Sequence, residues 1–488
     1  MKTPSGVREV DPSVRQGVAA GRLCLSEIVS ALSFALDFSE GAMPGHAVRS
    51  CLLGMRMADA LGLSTAEKSD LYYALLLKDV GCSSNAARLT EIAGGQPGLA
   101  SKVEDLTGLS WAAIRSQWHD MPRGGSLIGR ARAMLHGPGE RRQVLAAMIG
   151  IRSERAAGIV TKIGLTQQTA ASIRHLDEHW DGSGYPGHLS GEAIPLASRI
   201  VSIAQNLDVF YTRHGARAAM ALIRRRGGRW FDPRLVKLAA RMHSREQLWS
   251  AGDAAANRDM VLAFDPDPSG AATTIQIDRV CEAFADVVDA KSSFTYAHSI
   301  GVTRAAAMIA QQLGLAPDRQ RLVYRAALLH DIGKLQIPNS ILDKPGKLDA
   351  GEWMVIREHP VVTQRILERI SKFDQIARTA SQHHERLDGS GYPHGLRGEH
   401  LSMEARVIAV ADVYGALSED RPYRAALGME EIMSIMSKDV PEKLDRACYD
   451  ALIDALKHNS AGVTCADGKR LPANAAPPKS SPGINRMR

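Results

Sequence analysis

Apolar positions along this chain recur at helical rather than strand spacing almost throughout. Between 298 and 313, His298, Val302, Ala305 and Ile309 follow one another at intervals of 4, 3 and 4, the stripe of an amphipathic helix that ends at Gly314. A histidine at the head of that stripe points inward with its apolar neighbours. Leu322, Ala326 and Leu329 mark the inner face of a second helix, whose end carries His330 and Asp331 ahead of Gly333. The phrase DGSGYP at 388–393 predicts a loop, because two glycines and a proline in six residues cannot continue a helix. Aromatic residues make up 5% of the chain, which favours aliphatic helix packing over β-sandwiches. The fold class expected is all-α.

The same pattern occurs twice. DGSGYPGHLSGEAIPLASRIVSIA at 181–204 matches DGSGYPHGLRGEHLSMEARVIAVA at 388–411 with an offset of 207, and the segment 46–81 matches 298–333 with an offset of 252. The difference, 252 − 207 = 45, is the net size of an insertion in the first copy, expected at about 83–150. Two copies make tandem related domains rather than a solenoid. The boundaries expected are 20–243 for the first copy and 273–457 for the second. The stretch 244–272, small, polar and rich in Pro and Gly near FDPDPSG, reads as a linker, and 458–488 as a disordered tail.

At 488 residues the chain can fill at least two cores. Its net charge of +7 is spread along the length, with RRRGGR at 224–229 the one dense cluster. That argues against a nucleic-acid polymer as partner and leaves room for a phosphorylated small molecule. Six scattered cysteines form no CxxC, so neither a disulfide framework nor a zinc ribbon is expected. With no apolar run of about 18 residues and no secretion signal at the start, the expected location is the cytoplasm, without a membrane anchor.

The chemistry concentrates in the second copy. His298, His330, Asp331, His359 and the adjacent His383 and His384 share one half-chain, and Asp412 stands in the otherwise apolar run IAVADVYGAL. Burying that many ionisable groups unpaired would cost several kcal/mol each, and imidazoles with carboxylates are what divalent first-row metals bind. An Asp beside a His can bridge two ions, and two metals point to phosphoester chemistry.

These residues fall in an ordered set of motifs: HDIGK at 330–334, IPNSILDKPGKL at 337–348, Glu358-His359, HHERLDGSGYP at 383–393, ADVYGAL at 411–417 and RPYR at 421–424. Over about 273–457 the chain resembles the HD-GYP family of HD phosphohydrolases. The resemblance implies an all-helical domain that hydrolyses cyclic di-GMP to pGpG or GMP with two or three iron or manganese ions. It implies His298, His330, Asp331, His359, His383, His384 and Asp412 as metal ligands, with Asp331 bridging, and Asp331 and Lys334 as catalytic groups. Tyr392, Arg421 and Arg424 match the family's substrate contacts, a role that suits the paired donors of arginine. Phe294 stands where three-metal members carry a glutamate, so two ions, Fe or Mn, are expected.

The first copy departs from this pattern. By the offsets, His330 becomes Lys78, Lys334 becomes Cys82, His383 becomes Leu176, His384 becomes Asp177 and Asp412 becomes Gln205, while His46 and Asp79 persist. The counterpart of His359 falls near Glu154 and Arg155. An ammonium at Lys78 would repel a cation and pair with Asp79, replacing metal by a salt bridge. This half is expected to be a non-catalytic relative serving packing, dimerisation or nucleotide sensing, and the copies are expected to pair within the chain or the protein to form a homodimer. The alternatives carried are a phosphohydrolase for another cyclic dinucleotide such as cyclic GMP-AMP, or for a nucleotide monoester, and an adaptor that binds the messenger and signalling protein partners without turnover.

Overall fold

The computed structural model describes residues 23–39, 43–81, 138–249, 254–267, 270–292, 298–344, 346–419 and 426–458. Among these residues the chain is helical, and its β features are isolated bridges. The first half runs through α1 (Leu25–Ser39), α2 (His46–Leu61), α3 (Thr65–Leu77), α4 (Pro138–Ile163), α5 (Gln167–Arg174), α6 (Leu196–Arg226) and α7 (Pro233–Ser244). After α8 (Ala254–Ala263), the second half runs through α9 (Thr274–Asp289), α10 (His298–Gln312), α11 (Pro317–Leu329), α12 (Asn339–Leu342), α13 (Ala350–Arg357), α14 (His359–Leu367), α15 (Asp374–Ser381), α16 (Met403–Ser418), α17 (Met429–Ser437) and α18 (Arg446–His458).

Local chemistry sets these boundaries. Ser64 and Glu67 close a capping box on α3, Thr273 and Gln276 one on α9, and Asp349 and Glu352 one on α13, each satisfying amides that the first turn leaves free. Gly62 and Gly314 end α2 and α10 with φ of 69° and 65°, the left-handed geometry that glycine adopts without strain. Along α10, His298, Val302, Ala305 and Ile309 are all buried, as the periodicity predicts. In α11 it is Val323, rather than Leu322, that is buried with Ala326 and Leu329.

The duplication is visible helix by helix. The offset of 252 carries α2 and α3 onto α10 and α11, and the offset of 207 carries α5 onto α15 residue for residue. The 244–272 stretch, expected as a linker on composition, contains α8, whose Val261 is buried against the first half. Of the predicted insertion, residues 82–137 lie outside those described, as does the tail beyond 458.

The two halves share one continuous core. The first helix of each reaches across to the other half. From the first copy, α1 packs on α14 and on the 3-10 turn Ile332–Gln336, while α9 of the second copy packs on α4. The Glu27 carboxylate accepts from the Ser371 amide at 2.7 Å and from its hydroxyl at 2.9 Å. Arg155 donates to the Asp286 carbonyl at 2.6 Å, and Lys162 pairs with the Asp286 carboxylate at 2.6 Å. Ile28, Val29, Leu32 and Leu36 of α1 are buried completely or nearly so, each contributing roughly 1.5–3 kcal/mol by leaving water. The pairing within the chain is therefore an apolar one edged by hydrogen bonds and an ion pair. No described helix is long and apolar enough to cross a membrane.

Candidate metal centre

All seven predicted ligands converge where α10, α11, α14, α16 and the end of α15 meet. His330 closes α11 and Asp331 follows it with φ −101° and ψ 7°. The chain then turns so tightly against α14 that a Cβ at Gly333 would overlap the His359 carbonyl. That close approach requires glycine. Thr363 locks the same junction: its hydroxyl accepts from the Gly333 amide and donates to the His330 carbonyl, each at 3.0 Å.

The donor atoms fall into two groups around Asp331. Its Oδ1 lies 3.3 Å from His359 Nε2 and 3.7 Å from His383 Nε2, and its Oδ2 lies 3.3 Å from His330 Nε2 and 3.7 Å from His298 Nε2. Asp412 Oδ1 is 3.4 Å from His298 Nε2 and 3.8 Å from His330 Nε2, while its Oδ2 is 3.5 Å from His384 Nδ1. One group is thus His298, His330 and Asp412, the other His359, His383 and His384, within which the donor atoms lie no more than 4.8 Å apart. The Asp331 carboxylate sits between them.

The hydrogen bonds aim the donor atoms of three of these rings into the cluster. His330, His359 and His383 each place Nδ1 2.7 Å from the carbonyl three residues earlier, those of Ala327, Ile356 and Ala380. A carbonyl can only accept, so each Nδ1 carries the proton and each Nε2 turns a lone pair into the cluster. His359 Nε2 and His383 Nε2 face each other at 3.1 Å, two acceptors in repulsion unless a positive species lies beside them. His330 Nε2 and Asp331 Oδ1 are buried and in no hydrogen bond. Backbone-anchored imidazoles with inward lone pairs are the usual outer support of a metal site, and the donor set fits two divalent ions.

The electrostatics divide the cluster in two. Burial, reinforced by His384, holds His383 far below its ordinary pKa; burial also lowers His359 and pushes His384 down to about 3, leaving the neutral imidazoles that ligation needs. Burial opposes ionisation of Asp331, yet His330 and Lys334 hold its carboxyl well below the usual range. Lys334 donates to Asp331 Oδ2 at 2.5 Å. Burial works against a charge on His298 and His330 too, but Asp412 and Glu419 push His298 up to about 10 and Asp331 raises His330, so a cation binding there would displace a proton.

Tyr392 borders the cluster, with its ring 4.7 Å from that of His384. Arg421, Arg424 and Phe294 lie outside the described residues. Two supporting groups escaped the sequence reading. Glu419 accepts from His298 Nδ1 at 2.8 Å. Glu385 clamps the GYP loop by accepting from the His394 and Leu396 amides at 2.7 and 2.9 Å. Glu178 does the same for Gly187 and Leu189 at 2.5 and 3.0 Å. That recurrence, at the offset of 207, was the available signal for Glu385.

In the first half, fixed cations stand where the second half gathers its ligands. Lys78 is fully buried and donates to Asp79. The counterpart of His359 is Arg152, not Glu154 or Arg155: a Cβ at Gly81 would overlap the Arg152 carbonyl as one at Gly333 would that of His359. Arg152 reaches Asp79 at 3.3 Å and Asp177 at 3.4 Å, and His46 pairs with Asp208 at 2.7 Å. His179 stacks on Trp230, a packing role. Among the described residues, every triad able to hold a metal lies in the second half.

Comparisons with known proteins place the chain among its relatives. A family model described as HD domain matches residues 138–235 and 282–448, taking in parts of both copies. The chain is 37% identical over 445 residues to the 3'3'-cGAMP-specific phosphodiesterase 3 of Vibrio cholerae, covering 90% of this chain and 96% of that protein. It is 43% identical over 154 residues to the cyclic di-GMP phosphodiesterase response regulator RpfG of Xanthomonas campestris, covering 31% of this chain and 41% of that protein. The crystal structure of a cyclic GMP-AMP specific phosphodiesterase from V. cholerae superposes with a TM-score of 0.62 at 34% identity, over 90% of this chain and 99% of that one. The chain belongs to the HD domain family, in its HD-GYP branch.

Proposed function

We propose that this protein is a metal-dependent phosphodiesterase that opens a cyclic dinucleotide, with 3'3'-cGAMP rather than cyclic di-GMP as its preferred substrate. The observation that carries the substrate is the extent of likeness. A relative named for 3'3'-cGAMP matches over both halves, at 90% of this chain, whereas one named for cyclic di-GMP matches over 31%. Cyclic di-GMP, which the motifs alone implied, gives way to its alternative.

Two divalent ions, when bound, supply Lewis acidity and a water of lowered pKa; iron and manganese are the ions this reading favours. His298, His330 and Asp412 would hold one and His359, His383 and His384 the other, with Asp331 shared. Lys334 places an ammonium at the edge of that centre, able to offset negative charge growing on the phosphoryl oxygens. Tyr392, and with it Arg421 and Arg424, would contact the substrate. The first half, with ion pairs in place of ligands, has a structural role: α1 backs the turn that carries Lys334.

The test is anaerobic incubation of ferrous- or manganous-loaded protein with 3'3'-cGAMP and with cyclic di-GMP, followed by product chromatography beside Asp331→Ala. Linear dinucleotide is expected from both substrates, with 3'3'-cGAMP consumed faster and no product from the variant. Faster turnover of cyclic di-GMP would overturn the substrate assignment. Dinucleotide binding without turnover under either metal would instead favour the adaptor.

A further inference from the structure

Next to the metal centre stands a helix with no buried residue. On α13, Trp353, Met354 and Val355 are 49%, 68% and 39% exposed, and large apolar side chains grouped on a surface mark contact sites. The helix is nonetheless held firmly. Its N-terminus has the Asp349–Glu352 box, Lys344 donates to Glu352 at 2.5 and 2.7 Å, and its last-turn Ile356 carbonyl is the acceptor that orients the metal ligand His359. Arg357 extends its guanidinium over the Tyr392 ring, 4.7 Å from the centroid, and that ring lies 4.7 Å from His384. Trp353 stands four residues before Arg357, one turn away on the same stripe. Contacts therefore run outward from His384 through Tyr392 to Arg357, and the exposed Trp353 stands one helical turn from Arg357.

We infer that α13 is one wall of the substrate cleft, with Arg357 and Trp353 as specificity-determining contacts for a purine dinucleotide. This rests on the proposed reading of the metal centre. A cyclic dinucleotide carries two phosphates and two bases. With one phosphate at the metals, the remainder of the ring must lie on groups outside the cluster, and an arginine beside an aromatic face suits a phosphate and an adjoining purine. An exposed tryptophan over no core has no packing reason to stand there.

The experiment compares Trp353→Ala, Arg357→Ala and Arg357→Lys with wild type on two substrates: 3'3'-cGAMP, and bis(4-nitrophenyl) phosphate, which has the scissile chemistry without purines or a second phosphate. Bound metal is counted for each variant. The expected result is two ions per chain throughout, and a fall of about tenfold or more in the ratio of kcat/KM for the dinucleotide to that for the small diester in both alanine variants, carried mainly by KM. Lysine at 357 should restore part of the ratio by returning the charge. An unchanged ratio, or equal losses on both substrates together with lost metal, overturns the inference while leaving the proposed activity standing. Wild type that cleaves the small diester but neither binds nor cleaves any cyclic dinucleotide overturns both.

Discussion

Glu419 offers the sharpest test of the two-subsite geometry. It accepts from His298 Nδ1 at 2.8 Å and sits just beyond the end of α16, which carries Asp412. Replacing it with alanine leaves every predicted ligand in place but frees the His298 ring to rotate and lowers its basicity. A hydrogen bond to a charged group is worth about 1.5–3 kcal/mol. The Glu419 side chain is 23% exposed, so solvent takes up part of that loss and the lower end applies. At 1.4 kcal/mol per tenfold, the ion held by His298, His330 and Asp412 should bind about tenfold to thirtyfold more weakly, at the low end of the usual penalty for losing an outer partner of a metal ligand. The other ion, held by imidazoles anchored on Ile356 and Ala380 carbonyls, should not notice. Manganese titration by anaerobic calorimetry should show two equivalents in wild type and, in Glu419→Ala, one unchanged and one weakened. Excess metal should recover most of the activity. Equal weakening of both sites, or of neither, would refute the division of ligands and the role of Glu419.

Three further outcomes follow from the same contacts. Gly333→Ala, whose Cβ would overlap the His359 carbonyl, should separate α11 from α14 and abolish metal loading; metal analysis of the purified variant checks it, and a fully loaded variant would show that the junction is not needed. Gly81→Ala, the equivalent change in the first half, should lower the thermal midpoint while leaving two ions per chain. Arg152→Leu should cost about 3–5 kcal/mol, because Asp79 and Asp177 would keep buried charges that have lost a partner; urea unfolding measures this, and an unchanged midpoint would mean the cation network is not what replaces metal there.

How much of this was legible beforehand depended on whether a residue's role left a periodic or compositional trace. The inward His298 was legible because 3.6-residue periodicity places it with Val302 and Ile309, and the ligand set because so many ionisable groups in one half-chain need a shared partner. Glu419 was not: a single acid after an apolar helix looks like any solvated residue until its distance to His298 is known. Arg152 was hidden by register, since the 45-residue difference between offsets leaves open where the insertion ends, and it is the tight contact at Gly81 that closes the question. Helix α8 was hidden because AAANRDMVLA carries no apolar stripe long enough to outweigh its polar setting. The sandwiching of α1 was hidden because Ser26, Ser30, Ser33 and Asp37 recur at helical spacing like a solvated face, yet all four are buried.

The duplication gives the two halves different answers to one electrostatic problem. Each fold brings an Asp, Asp79 or Asp331, to the end of a helix and packs it under a glycine turn where it cannot stay unpaired. The second half pairs Asp331 Oδ2 with Lys334 and surrounds the carboxylate with imidazoles whose lone pairs face inward, leaving Oδ1 buried without a hydrogen bond, a donor set that suits divalent ions. The first half meets Asp79 with two cations of the chain, Lys78 and Arg152, and among the described residues it gathers no triad able to hold a metal. The Glu178 clamp and the GYP loop recur in that half although Lys78, Arg152 and Leu176 stand at its ligand positions, so the clamp itself does not require those histidines. A half that is stable in this way can serve as a permanent partner, and its α1 lies directly against the turn bearing Lys334 and against α14, which begins at His359. The prediction that separates a support from a bystander is therefore positional. Glu27→Ala, which frees the Ser371 amide just beyond α14, should slow turnover several-fold while leaving the unfolding of the first half unchanged. Measuring kcat beside urea unfolding decides it, and an unaltered kcat would leave the first half with no bearing on the metal centre.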